Sequence, residues 1–188
     1  RLTMQTIIYA DHAATTALTS AVCAAMQPWL QDKYGNPSTL YSFAREPRKA
    51  VASARETIAA CIGARPEEIY FTSGGTESDN WVIKGTLQHG GHCTVVTSAF
   101  EHHALLRACE HIEWMGYPVA YVYPTNKGIV SPETLAAIIT DQTKLVSIMM
   151  VNNEIGTVQP IQELCAVAHR QGALFHTDAV QAVGHMPI

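Results

Sequence analysis

The sequence predicts an α/β fold: a doubly wound, mostly parallel sheet with helices on both faces. Short β-branched segments alternate with helical segments from about residue 69 onward, which is the pattern of repeated βα units. Leu145 to Val151 is a continuous apolar run, typical of a strand buried on both faces. Since no repeat, low-complexity tract or linker interrupts the 188 residues, we expect a single domain or part of one.

In the first third of the chain, residues 7–9 predict a short strand and residues 19–30 a helix. Residues 35–38 (Gly-Asn-Pro-Ser) form a turn cluster. A second helix begins near Pro47, which suits a first helical turn, and ends at Gly63.

From there strands and helices alternate. We expect strands at residues 69–72, 93–98, 119–123, 145–151 and 173–176. We expect helices at residues 76–87, 102–114 and 160–171, and a further helix that starts at Ser131-Pro132, a hydroxyl cap followed by proline.

Composition excludes several classes of function. Hydrophobic residues make up 47% and charged residues 15% of the chain, as in compact globular proteins. A net charge of −4 without a Lys/Arg cluster indicates no nucleic-acid partner, and no apolar run is long enough for a membrane span. The N-terminus lacks a hydrophobic signal core, and the five cysteines never form Cys-x-x-Cys pairs, so we expect reduced thiols in the cytoplasm. The nine histidines show no zinc-ligand spacing, so no metal site is predicted.

The turn Ser73-Gly74-Gly75-Thr76 joins a predicted strand to a helix. Glycines let the backbone approach a ligand closely, and the first N–H groups of a helix favour an anion. By itself this turn is better explained as an ordinary capped strand–helix connection, and the rest of the chain is what favours the anion site.

Polar clusters follow the predicted strands at their carboxyl ends, where ligands bind in such sheets. Besides the Ser73-Gly74-Gly75-Thr76 turn, they are residues 101–103 (Glu-His-His), 152–154 (Asn-Asn-Glu) and 177–181 (Thr-Asp-Ala-Val-Gln). Each presents a different kind of polar group. Together they predict a pocket for a ligand that has a phosphate and a polar ring.

The motifs in these clusters, taken in order, resemble those of the cysteine desulfurases, a class V aminotransferase group of fold-type I pyridoxal phosphate (PLP) enzymes. The motifs are Asp11-x-Ala13-Ala14-Thr15-Thr16, Gly35-Asn36-Pro37-Ser38, Phe71-Thr72-Ser73-Gly74-Gly75-Thr76-Glu77-Ser78-x-Asn80, Glu101-His102-His103-Ala104, Val151-Asn152-Asn153-Glu154-Ile155-Gly156 and Asp178-x-x-Gln181. The resemblance covers essentially the whole chain.

The resemblance implies a role for each matching residue in PLP binding. Gly75 and Thr76 would bind the phosphate at a helix N-terminus. Asp178 would pair with the pyridinium nitrogen, although an N-cap is the alternative role for an aspartate there. Gln181 would hydrogen-bond the phenolic oxygen, and Asn153 would lie near that oxygen and the substrate carboxylate.

His102 would stack on the pyridine ring and take part in proton transfer, which makes it the one catalytic candidate. The alternative is a surface histidine at a helix terminus, and that is the interpretation for His103. Asn152 is expected to structure its turn. Asn36 is implied near the substrate, although a turn role is sufficient for it.

For the parent enzyme, the resemblance implies removal of sulfur from L-cysteine to give alanine and an enzyme persulfide. It also implies a homodimer and a sulfur-acceptor protein, as in iron–sulfur cluster assembly. The family's PLP-binding lysine, the rest of the large domain and the C-terminal small domain would follow Ile188. We therefore expect residues 1–188 to be the N-terminal part of the PLP-binding domain, inactive by themselves.

Other interpretations stay open on the sequence alone. A selenocysteine lyase or a small-substrate aminotransferase would share most of these motifs. A folded half that binds a partner without catalysis would explain the missing lysine, but it would not need Asp178, Gln181 and His102.

Overall fold

A computed structural model of the chain describes residues 8–87 and 93–188. The chain divides into two compact units, Arg1–Phe71 and Thr72–Ile188. None of the helices in the described ranges combines the length and apolarity that a membrane crossing requires.

The first unit is helical. Helix α1 spans Ser20–Gln31 and α2 spans Arg45–Ile62, with short 3₁₀ turns at Ser42–Ala44 and Pro66–Glu68. Both long helices follow the sequence prediction. The Thr19 hydroxyl caps α1 by accepting a hydrogen bond from the Val22 N–H at 3.3 Å, and α2 ends at Gly63, whose φ of 67° is the left-handed conformation that glycine adopts without strain.

Asn36 forms the predicted turn in this unit. Its side-chain oxygen accepts a hydrogen bond from the Ser38 N–H at 2.9 Å, and its carbonyl oxygen accepts one from the Thr39 hydroxyl at 2.8 Å. The first of these bonds uses the side chain, and it is sufficient to account for an asparagine at this position.

Two predicted strands are absent from the described residues. Of the segment 7–9, residue 7 lies outside the described residues, and Ile8 and Tyr9 are not in a strand. Residues 69–72 have no regular secondary structure and pair with no described strand. Tyr70 and Phe71 remain exposed, and Phe71 lies under the Arg55 guanidinium, 5.1 Å from its ring centroid. A strand needs a neighbour for its backbone hydrogen bonds, and aromatic β-propensity does not supply one.

The second unit alternates helices and strands. Its elements are α3 (Gly75–Thr86), β1 (Thr94–Ser98), α4 (His103–Trp114), β2 (Val119–Val122), α5 (Pro132–Ile138), β3 (Thr143–Ser147), α6 (Ile161–Arg170) and β4 (Leu174–His176). Each of these elements was predicted from the sequence to within a few residues.

The four described strands form one parallel sheet in the order β2-β1-β3-β4. From β1 the chain moves outward to β2, and from β3 it moves outward to β4 on the other side. The direction of winding therefore reverses between β1 and β3. In open parallel sheets, ligands bind beyond the carboxyl ends of the strands at such a switch point.

Helices cover both faces of this sheet, which confirms the predicted doubly wound class. Val95 of β1 packs with Ile83 of α3 and Leu105 of α4 on one face. The next residue, Val96, packs with Leu135 of α5 and Leu164 of α6 on the other face. Because successive side chains of a strand point to opposite faces, both faces bury apolar side chains, each worth about 1.5–3 kcal/mol when fully buried.

Strand β3 ends earlier than the predicted Val151. The Met149 N–H is bonded to the Glu101 side chain, and the Met150 N–H donates to the Asp178 carbonyl at 2.8 Å. After Ser147, therefore, the pairing with β1 stops, whereas toward β4 the Ile148 and Met150 N–H groups still donate to the His176 and Asp178 carbonyls at 3.1 and 2.8 Å. Val151 instead forms an isolated antiparallel bridge with Val158.

Candidate functional site

The site predicted from the sequence lies at the carboxyl edge of the sheet, around the β1/β3 switch point. The segments after β1, β3 and β4 and the first turn of α3 are linked there by direct contacts. His176 at the end of β4 lies 3.9 Å from Asp79 of α3, measured from Nε2 to Oδ1. Its Nδ1 is 2.8 Å from the hydroxyl of Ser147, the last residue of β3.

The first turn of α3 closely approaches the segment that follows β4. A Cβ built on Gly75 would lie 3.1 Å from Val180 Cγ2, which is closer than most side-chain contacts allow. Gly74 has a φ of 156° and open space around its Cα. Glycine at position 75 thus permits the helix start to contact the segment that carries Asp178 and Gln181.

The N-terminus of α3 keeps backbone donors available. The Ser73 N–H and hydroxyl both donate to the Glu77 carboxylate, at 2.6 and 2.7 Å. The N–H groups of Gly75 and Thr76 make no hydrogen bond to any described residue. Thr76 is exposed and lines an open cleft along α3 together with Asn80 and Lys84. These are donors that an anion at a helix N-terminus can use.

Glu101 and Asn152 join the loop after β1 to the segment after β3. The two oxygens of the Glu101 carboxyl group accept hydrogen bonds from the Met149 N–H at 3.0 and 2.9 Å, and one of them is also bonded to the Ser98 hydroxyl. In the opposite direction, the Asn152 side-chain amide donates to the Phe100 carbonyl at 2.8 Å.

The two adjacent asparagines differ in role. The buried Asn152 also accepts hydrogen bonds from the Glu154 and Ile155 N–H groups, both at 3.0 Å, which confirms it as the turn-forming residue. Asn153 is half-buried, and its side chain makes no hydrogen bond within the described part of the chain. Its amide is therefore available to a ligand.

His102 is the N-cap of α4 and is exposed. Its Nδ1 accepts a hydrogen bond from the Ala104 N–H at 3.1 Å, so the ring in its neutral form carries its proton on Nε2. The neighbouring His103 is the first residue of α4 and is also exposed. The structure thus supplies a local role for His102, that of a helix cap, and leaves Nε2–H for a second partner.

Asp178 and Gln181 lie in the turn after β4, and both are half-buried. Asp178 Oδ1 accepts a hydrogen bond from the Val180 N–H at 2.9 Å, which is a local turn bond; the described residues after Asp178 form no helix, so the helix N-cap considered as its alternative role is not formed. Its second oxygen, Oδ2, accepts none from the described residues. Between β4 and Asp178, the buried hydroxyl of Thr177 likewise has no partner among them.

A group of ionisable side chains lies beneath these residues. Burial raises the pKa of Glu101 to about 8, against the hydrogen bonds from Ser98 and Met149, and the Asp178 and Asp79 charges raise it further. Burial and the Asp178 charge raise the pKa of Asp79 to about 6. Burial lowers the pKa of His176, and the Asp178 carboxylate opposes that shift. The site is therefore rich in carboxyl groups and would favour a cationic ligand atom.

Sequence reasoning missed this buried group. Glu101 was noted only as part of a polar cluster, and Asp79 and His176 received no role. A usable signal was present, because β1, β3 and β4 each end in a polar residue, namely Ser98, Ser147 and His176. A polar residue at the end of each buried strand indicates side chains that turn toward a common site.

Metal ligands are not clustered in the described ranges, where no group of three or more His, Cys, Asp or Glu side chains could hold an ion. The five cysteines are free thiols there.

The chain matches the family Aminotransferase class-V over residues 8–188. It is 48% identical to a cysteine desulfurase IscS of Dictyoglomus turgidum, covering 98% of this chain and 48% of that protein. It is 46% identical to a cysteine desulfurase IscS of Methanosarcina thermophila, covering 96% and 45%. The chain thus spans about half the length of these curated relatives.

Solved structures agree with this similarity. One described as a NifS-like protein superposes with a TM-score of 0.91 at 35% identity, covering 95% of this chain and 50% of that one. Another, described as SspA in complex with cysteine, superposes with a TM-score of 0.92 at 38% identity, covering 95% and 52%. With the family match over nearly its whole length, the chain belongs to the class V aminotransferase family.

Proposed function

We propose that this chain forms the N-terminal, cofactor-binding part of a PLP-dependent cysteine desulfurase. The observation that carries the proposal is the close approach of Gly75 to Val180, 3.1 Å from a built Cβ to Cγ2. This approach puts the anion-binding end of a helix next to the turn that carries Asp178, as a ligand with both a phosphate and a basic ring nitrogen requires.

The residues present fit PLP on three observations. The Gly75 and Thr76 N–H groups and the exposed Thr76 hydroxyl are donors suited to a phosphate. Asp178 Oδ2 accepts no hydrogen bond from the described residues, so it can take one from a pyridinium N–H. The neighbouring Asp79, whose pKa is raised only to about 6, adds negative charge near that point at neutral pH, which favours a protonated ring nitrogen.

The remaining predicted residues complete the site. Gln181, half-buried in the same turn as Asp178, would hydrogen-bond the phenolic oxygen of the ring. Asn153 would donate near that oxygen and the substrate carboxylate. His102 would lie on the ring face, held in orientation by the hydrogen bond that its Nδ1 accepts from the Ala104 N–H.

PLP, when bound, supplies an electron-accepting ring that stabilises negative charge at the substrate Cα. This chain's residues supply orientation and proton transfer. Asp178 keeps the ring nitrogen protonated, and Gly75 and Thr76 fix the phosphate end. The Nε2–H of His102 is outside the capping bond, so it can donate to a substrate atom. For Nε2 to take a proton, the ring must first carry its proton on Nδ1 and release the Ala104 N–H.

We propose L-cysteine as the substrate, with sulfur passed to an acceptor protein as in iron–sulfur cluster assembly, and a homodimer in the cytoplasm. The curated relatives are named cysteine desulfurases, and one similar structure is described as a complex with cysteine. The five free thiols fit a reducing compartment.

The test uses the polypeptide encoded by the complete reading frame. Asp178→Asn keeps an oxygen for the Val180 N–H but removes the charge. Because a hydrogen bond to a charged group contributes about 1.5–3 kcal/mol, we expect PLP to dissociate about tenfold more readily or worse, measured by cofactor fluorescence. Asp141→Asn is the matched control, since Asp141 is exposed just before β3, at the opposite edge of the sheet.

The wild-type polypeptide with PLP is expected to convert L-cysteine into alanine and sulfide in equal amounts when a thiol reductant is present. Failure to bind PLP, or equal affinities for the Asp178→Asn and wild-type proteins, would overturn the cofactor site. Formation of a keto acid from cysteine without alanine would indicate an aminotransferase instead.

A further inference from the structure

Two reciprocal hydrogen-bonded links cross the switch point between β1 and β3. The Glu101 carboxyl group accepts from the Met149 N–H, and the Asn152 amide donates to the Phe100 carbonyl. We name these four residues, Phe100, Glu101, Met149 and Asn152, the switch-point clasp. Each link joins a side chain of one segment to the backbone of the other, so neither segment can shift without breaking both.

The clasp is buried and locally fixed. Glu101 and Asn152 are each 6% exposed, and the fully buried Ser98 holds the Glu101 carboxyl group through its hydroxyl. Among the described residues no lysine or arginine forms an ion pair with Glu101. A buried carboxyl group without a cationic partner is costly, so its hydrogen bonds are what make it tolerable there.

The position of the clasp relates it directly to the proposed site. His102 follows Glu101 in the chain, and Asn153 follows Asn152. The regular pairing of β1 with β3 stops at Thr97 opposite Ser147, before either segment reaches these residues. Beyond that point the clasp joins the two segments where the ladder no longer does.

We propose that Glu101 is a positioning residue, which fastens the loop carrying His102 to the turn carrying Asn153 through the switch-point clasp. The proposal rests on the proposed function for its catalytic meaning. That Glu101 anchors the two segments to each other is argued from the hydrogen bonds of the clasp alone and does not depend on PLP. Since misplacing a reactive group by about 1 Å can cost on the order of a hundredfold in rate, a common anchor for His102 and Asn153 has a direct catalytic use.

The experiment compares Glu101→Leu, Glu101→Gln and a control in the polypeptide encoded by the complete reading frame. Leucine removes every clasp bond of residue 101. Glutamine can accept from the Met149 N–H and donate to the Ser98 hydroxyl, so it preserves the link without a titrating group. The control is Thr97→Val, which removes a buried hydrogen bond of 2.9 Å from the Thr97 hydroxyl to the Ser147 carbonyl but leaves the clasp intact.

The first readout is amide hydrogen exchange in the cofactor-free protein. Glu101→Leu is expected to raise exchange together in residues 99–106 and 149–157, whereas Glu101→Gln is expected to match the wild type there. Thr97→Val should lower global stability without loosening these two segments selectively. Exchange that rises in only one segment, or equally in Thr97→Val, would overturn the proposal, and so would a Glu101→Gln variant that behaves like Glu101→Leu.

The second readout is PLP affinity, for which we expect Glu101→Leu to lose about tenfold or more and Glu101→Gln to restore binding. If the wild-type protein bound no PLP, the proposed function would fail, but the exchange comparison would still decide whether the clasp exists. If Glu101→Leu does not fold, Ser98→Ala takes its place. Unchanged exchange in both segments of that variant would overturn the proposal.

Discussion

Asp79 and His176 lie 3.9 Å apart, between Oδ1 and Nε2, yet the environment shifts both toward their neutral forms. Burial, with the Asp178 charge adding to it, raises the pKa of Asp79 to about 6, and burial lowers the pKa of His176 against the opposing effect of Asp178. Asp79 is 3% exposed. Geometry alone would describe this contact as a salt bridge, but at neutral pH it is mainly an aspartate beside a neutral imidazole.

Asp79→Asn is therefore expected to raise stability at pH 7 by on the order of 1 kcal/mol. A raised carboxyl pKa gives stability that is full below the unfolded value of 3.8 and is lost as the pH rises through about 6. The increase in the free energy of unfolding caused by Asp79→Asn should therefore grow between pH 3.8 and about pH 6 and stay constant at higher pH. Urea unfolding at pH 4 and pH 7 measures it, with Asp141→Asn as the exposed control. A loss of about 3 kcal/mol would instead indicate a charged pair.

The buried Glu101 predicts a decline in stability from about pH 4.5 to pH 8, and above pH 6.5 the decline is its own because Asp79 and His176 titrate at lower pH. Its pKa is raised from 4.5 to about 8, so its contribution to stability is complete at low pH and is lost as the pH rises through 8. His176, with a lowered pKa, acts in the opposite sense and below pH 6.5. Glu101→Gln should remove this decline, which chemical denaturation at intervals across the window would reveal. Parallel profiles for the two proteins would contradict the buried, neutral state of Glu101.

Gly75→Ala should weaken PLP binding with little effect on stability. The new Cβ would meet Val180 Cγ2 at 3.1 Å and displace the turn that carries Asp178, while alanine itself suits a helix. Gly85→Ala is the matched control in the same helix, since its Cβ would meet only Trp81 at 3.7 Å. Gly85→Ala should raise the free energy of unfolding by up to about 1 kcal/mol and leave the PLP affinity unchanged. Equal affinities for both variants would remove Gly75 from the cofactor site.

Two substitutions can separate the helix-capping role of His102 from its proposed catalytic role. Asparagine can replace the Nδ1 cap of the Ala104 N–H, whereas alanine cannot, so His102→Ala should cost about 1 kcal/mol in stability and His102→Asn much less. Both should impair PLP-dependent turnover, because neither carries a ring or Nε2. Thermal unfolding and alanine production measure the two effects. Full turnover by His102→Asn would show that His102 acts only as a helix cap. His103→Asn, at the adjacent exposed histidine, is the control.

Local chemistry made most of the fold predictable. Thr19, Gly63 and Ser131-Pro132 mark helix ends by interactions within one turn, and the helices begin or stop there as expected. The segment 69–72 was not predictable in the same way, because whether an apolar extended run becomes a strand depends on a partner elsewhere in the chain.

The residues of the candidate site were also predictable only where the signal is local in the sequence. Motif residues such as Gly75, His102 and Asp178 could be proposed from the sequence because their neighbours in sequence carry the signal. Glu101 was not assigned a role, because its function depends on Met149, which is 48 residues away. The early end of the β1–β3 pairing also depends on this distant contact, because the Glu101 side chain accepts the Met149 N–H that would otherwise pair with β1.

The diverted Met149 N–H has a practical consequence. Most backbone amides in a sheet donate to another backbone carbonyl, and so they report on strand pairing. This amide instead donates to a carboxyl group at the centre of the proposed site. Its nitrogen and proton resonances should therefore follow the charge of Glu101 directly, which makes a single main-chain NMR signal an internal indicator of protonation in the site and of any ligand that alters it.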